Sequence, residues 1–147
     1  MNPLQFLVPL APLQAAEGVL PTVILVFVLA NMVTRYLAHR KHVEQAAAGD
    51  DEAVTRSALH TVTTVLLILI TFAYAIVEPH TGVVMGVLIL AMFLADFFEF
   101  ESRRVEVRNE MELESPKSAL AASFVVLLYA VFLSLFVYIA PIWNAVI

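Results

Sequence analysis

Four long apolar runs divide the chain, at approximately residues 19–38, 58–77, 81–98 and 118–140. Each approaches the roughly 20 residues that a helix needs to cross a hydrocarbon core about 30 Å thick, so the pattern predicts four membrane-spanning helices. Pro21 falls in a first turn, where proline is tolerated, and Ser115 followed by Pro116 reads as the N-cap and first residue of the fourth helix. Pro141 is expected to end that helix. The short EPHTG reversal, residues 78–82, makes spans two and three an antiparallel hairpin. Residues 1–17 are apolar too, but Pro3, Pro9 and Pro12 break any regular fifth span, which leaves an interfacial segment or a contact arm for another subunit.

Charge then orients the bundle. All eight cations, Arg35, Arg40, Lys41, Arg56, Arg103, Arg104, Arg108 and Lys117, fall at one end of the four spans. The positive-inside rule makes 39–57 and 99–117 cytoplasmic loops, with both termini and the 78–82 reversal outside. Trp143, just past Pro141, sits where an outer-interface anchor belongs. The expected fold is thus all-α: an integral membrane four-helix bundle, residues 1–147 forming a single transmembrane domain of the cell membrane.

Composition agrees, at 61% hydrophobic residues against the usual 45 to 50% of soluble domains. The absence of cysteine removes disulfides, iron–sulfur clusters and thiol nucleophiles. With 13 acidic against 8 basic residues, nucleic acid is not an expected partner. Only Lys41 and Lys117 are lysines, a Lys-poor and acid-rich balance that suits a salt-adapted proteome.

Polar groups inside the spans are the candidate chemistry. Asp96 lies about 21 Å along its helix from Gly82, and Arg35 about the same distance from Pro21, so opposite charges share one depth on spans one and three. Pairing would relieve the cost of an isolated intramembrane charge, about 2.5 to 3.5 kcal/mol or more. Independent snorkelling of the two side chains is the alternative. Glu99 with Arg103 and Glu101 with Arg104 have helical ion-pair spacing. His60, Thr64, Thr71 and Tyr74 form a stripe on span two that serves packing or a solute path, with Asn31 as its interhelical partner; Gly82 and Gly86 offer a small face for close approach. His39, His42, His60 and Glu99 could supply a nitrogen and oxygen metal set, but without any specific ligand motif. No nucleophile motif or phosphate loop occurs, so neither catalysis nor a cofactor is expected.

The runs VLANMVTRYLAHR, EPHTGVV, DFFEFESRRVEVR, SPKSALAASFVVLLYA and PIWNAV resemble an uncharacterised group of small haloarchaeal four-span membrane proteins. That resemblance implies a salt-adapted archaeal membrane and supplies no activity. The expected function is a non-catalytic structural or accessory protein packing in the bilayer with copies of itself or other membrane subunits. A small transporter or ion-conducting oligomer using Arg35 and Asp96 is the alternative.

Overall fold

The computed structural model describes residues 7–49 and 53–147; residues 1–6 of the arm and 50–52 of the first basic connection lie outside the described residues. The order is α1 (Leu10–Ala16), α2 (Leu20–Ala48), α3 (Ala58–Val77), α4 (Pro79–Arg108) and α5 (Lys117–Val146), with no strand among the described residues. Helices α2 to α5 are each long and apolar enough to cross a membrane. Helix α2 packs on α3 and α5, and α4 packs on the same two, so α2 and α4 oppose each other across the diagonal.

Three elements outrun the apolar pattern. Helix α2 continues ten residues past the predicted end at Ala38, because HRKHVEQAAA contains no breaker and its far end is tied down. Gln45 exchanges two hydrogen bonds with Thr55, from Nε2 to Oγ1 (3.0 Å) and from the Thr55 N–H to Oε1 (3.1 Å). Helix α4 likewise runs to Arg108 and closes in a Schellman arrangement, with Glu110 N–H bonding Val107 O and Met111 N–H bonding Glu106 O. Glu110, at φ 56°, takes the left-handed position that glycine usually fills.

The third is α5, which passes straight through Pro141 instead of ending there. Proline removes one backbone bond near the helix end, and a continuing helix still satisfies the remaining N–H groups. The Ser115 N-cap expectation is also corrected: Pro116 is the N-cap and gives no side-chain acceptor. Glu99 of α4 takes over, its Oε1 accepting from Ser118 N–H (2.9 Å), Ala119 N–H (3.3 Å) and the Ser118 hydroxyl. A carboxylate there also complements the positive end of the α5 dipole.

The arm holds a short helix despite its prolines. Pro9 is the N-cap of α1 and Pro12 falls in the first turn, positions whose N–H groups have no intrahelical partner anyway.

The hairpin of α3 and α4 closes on Gly82. A Cβ added there would overlap the backbone of Ala75, whereas one on Gly86 would meet Thr71 Cγ2 at 3.8 Å, an ordinary contact. Gly82→Ala should therefore lower stability by about 1–3 kcal/mol, the usual cost of overpacking. Gly86→Ala should be neutral or stabilising, since alanine is the better helix former. Reversible denaturant unfolding in detergent separates them, and equal effects would mean that the helices do not cross at Gly82.

Candidate functional site

The bundle is divided lengthwise. Toward the end carrying the α3–α4 reversal its interior is mainly apolar, with Ile24, Val28, Leu67, Met85, Ile89 and Val126 almost wholly buried beside the hydroxyls of Thr71 and Ser134. Toward the basic end a polar network replaces that core.

Arg35 is its centre. Its side chain is 2% exposed and points across the diagonal to Asp96 of α4. Nε donates to Oδ1 at 2.9 Å and Nη2 to Oδ2 at 2.7 Å, a fork-to-fork pairing of guanidinium and carboxylate. Nη1 donates to Ser123 Oγ of α5 at 2.9 Å, and Nη2 also to Asn31 Oδ1 one turn earlier on α2. Ser123 completes its own bonding by donating to Ala119 O.

Helix α3 enters through His60 and two threonines. His60 Nε2 lies 3.2 Å from Asp96 Oδ2, and Nδ1 lies 2.9 Å from Thr34 Oγ1. Asn31 Nδ2 donates to Thr64 Oγ1 at 2.8 Å and to Thr63 Oγ1 at 3.3 Å, while both threonines donate back to His60 O. Every one of α2 to α5 therefore places a side chain in a single connected network.

The structure thus brings together Arg35, Asp96, Asn31, His60 and Thr64 of the residues singled out from sequence. It leaves two of the stripe apart. Thr71 donates to Leu67 O of its own helix, and Tyr74 accepts from Thr81 near the reversal. At that same end Glu78 hydrogen-bonds Glu17, and this bond, with burial and the neighbouring negative charge, pushes its carboxyl above the ordinary value of 4.5. Sequence reasoning missed Thr34, Thr63 and Ser123. Ser123 lies six residues into α5, about 9 Å of rise, the depth at which Asp96 was placed from the same end.

The candidate metal set does not converge, and no group of three His, Asp or Glu side chains able to hold a metal exists among the described residues. His42, His60 and Glu99 are separated by different partners, and the buried His39 Nδ1 has no hydrogen-bond partner. His60 faces Asp96, and Glu99 caps α5. His42 Nε2 lies 2.9 Å from Thr55 O, which can only accept, so the ring proton is on Nε2 and Nδ1 accepts from Arg103 Nη1 at 3.1 Å. The surface pairing needs correction as well: Glu101 bonds Arg56 of the α2–α3 connection at 3.2 Å instead of Arg104, and Arg56 lies over the Phe97 and Phe100 rings at 4.8 and 4.1 Å.

Four apolar helices of spanning length around an internal ion pair fit the class of multi-pass helical membrane proteins. Over residues 2–147 the chain matches the family described as "Domain of unknown function (DUF7313)", and it belongs to that family. No match was found among curated proteins or solved structures.

Asn31 is the hinge between the ion pair and α3. Asn31→Ala should strand one Arg35 donor and cost about 1–3 kcal/mol, the penalty for an unpaired buried group. Thr71→Val, which removes a hydroxyl bonded only within its own helix, should cost less than about 1 kcal/mol. Comparable losses in detergent unfolding would show that Asn31 is not part of a working network.

Proposed function

We propose that this chain is a non-catalytic structural or accessory protein of a cell membrane, packed within a homo-oligomer or larger membrane complex. The inward closure of its polar chemistry carries this reading. Arg35 uses four donor contacts inside the bundle, both Asp96 oxygens accept, and a packed apolar plug lies between this network and the α3–α4 reversal. Groups so thoroughly engaged with one another hold helices together and leave little to act on a substrate. By the positive-inside rule the basic end is cytoplasmic, with both termini and the reversal outside. The Lys-poor, acid-rich ends suit a salt-adapted archaeal membrane.

Helix α5 supplies the argument for self-association. Its outer face carries Leu128, Phe132 and Phe136, at 68%, 57% and 56% exposure, and Tyr129, Phe132 and Phe136 stack in a column. Stiff aromatic side chains give large contact area for little lost freedom, which favours helix association by packing inside lipid. A transporter using Arg35 and Asp96 is the second reading, favoured by a small cleft beside Asp96 and His60 at the basic end.

Native mass measurement in mild detergent should find dimers or larger species, whose population falls on Phe132→Ala. A monomer at all concentrations, joined to ion flux in liposomes, would favour the transporter instead. In intact cells an impermeant thiol reagent should label a cysteine placed at Asn144 and spare one at Gly49; the reverse pattern would invert the orientation.

A further inference from the structure

His60 stands between two groups that fix what its ring nitrogens do. Nε2 faces Asp96 Oδ2 at 3.2 Å, and that carboxylate, held in the fork of Arg35, only accepts. A bare Nε2 would set two lone pairs against each other, so Nε2 carries a proton in both the neutral and the charged ring. Nδ1 faces the Thr34 hydroxyl at 2.9 Å, a group that both donates and accepts. Thr34 Oγ1 has two further acceptors in reach, Asn31 O and Thr63 Oγ1, each at 3.0 Å.

The network therefore has two complete states. With a neutral ring, the Thr34 proton goes to Nδ1. With a charged ring, Nδ1–H donates to Thr34 Oγ1, whose own proton turns to Asn31 O. Either way the ring nitrogens and the hydroxyl stay paired, so a proton is taken up without the penalty of an unsatisfied buried group.

This pair opens to solvent at one end. Two clefts at the basic end are each lined by His60 and Asp96 together with the half-exposed Arg56 and the exposed Thr61. In the other direction, about two helical turns along from Arg35, His60 and Asp96, lie Val28, Leu67 and Ile89, at 0%, 0% and 1% exposure. Asp96 of α4 and Arg35 of α2 belong to the ring's own network. Arg56 of the α2–α3 connection, Arg103 of α4 and His42 of α2 also line the clefts, and α5 places no charged group there among the described residues.

We propose that His60 is a reversible proton-binding site in equilibrium with the solution at the basic end alone, the Thr34 hydroxyl turning from Nδ1 to Asn31 O as the ring is charged. The proton comes from solvent in the cleft, forms the Nδ1–H bond and displaces nothing. Asp96 then lies between two cations, Arg35 and the imidazolium, so its bond to α3 becomes charge-assisted while the Arg35 fork stays whole. Such a site registers acidity on one side of a membrane, and the apolar layer keeps it from passing protons across. The inference needs this network alone, whatever the chain assembles with.

The ring nitrogens of ¹⁵N-labelled protein in micelles report the state directly, with His60 assigned through its own backbone. Between about pH 8 and pH 5, where an unperturbed imidazole titrates, His60 should pass reversibly from the Nε2–H tautomer to the doubly protonated ring while the Arg35 Nε–H signal persists. Thr34→Val keeps the shape but removes the acceptor of Nδ1–H, so charging the ring should take about tenfold more acid; Thr34→Ser should follow the wild type. A single protonation state throughout, an Nδ1–H tautomer at the alkaline end, or loss of the Arg35 signal on acidification would overturn the site. A Thr34→Val titration identical to the wild type would overturn the role of the hydroxyl. Liposomes carrying the protein should leak no more protons at about pH 6 than empty ones, and flux above that level would overturn access from one end alone.

Discussion

A guanidinium enclosed by four apolar helices must find its partners inside the bundle, and Arg35 finds them on all sides. Its ion pair with Asp96 joins helices that are not neighbours, so the tie passes through the centre instead of along a seam. The geometry then constrains rotation. Turning α4 by one residue, about 100°, would carry Asp96 away from the fork, and turning α5 would remove Ser123 from Nη1. Apolar surfaces in a lipid environment give helices little reason to prefer one rotation, so directional bonds carry that information here.

The remaining structure reads as a consequence. Asn31 and Thr34 extend the centre sideways to α3, where His60 returns to Asp96 and closes the circuit. Nearer the basic end, Glu99 links α4 to the start of α5 and Arg103 links α4 to α2 through His42. At the other end the packing is apolar, with Gly82 setting the closest helix approach. One half of the bundle is specified by hydrogen bonds and the other by shape.

Hydropathy made the number of long helices and their starts legible, since 18 or more apolar residues leave few alternatives. It placed the end of α3 at Val77 but not the ends of the other three. His39 to Ala48 and Glu99 to Arg108 are polar and helical together, and the bonds that hold them come from residues distant in sequence. The matching depths of Arg35 and Asp96 were readable by counting helical rise. Ser123 had the same depth, but a serine in an apolar helix usually bonds back to its own backbone, and only the fold reveals that it also receives Arg35. His39, His42, His60 and Glu99 looked alike as polar residues near one boundary; helix rotation sends the last three to different partners and leaves His39 Nδ1 with none.

The most direct measurement is a double-mutant cycle of Arg35→Gln and Asp96→Asn by reversible unfolding in detergent micelles. Each single variant leaves a buried partner behind and should cost up to about 3–5 kcal/mol, reduced where water reaches the basic end. The direct pair predicts that the double variant loses less than the sum of the singles by at least about 1 kcal/mol, the mark of residues in contact. Additive losses would contradict it, showing that the two charges are held independently and that the centre of the bundle is organised by something else.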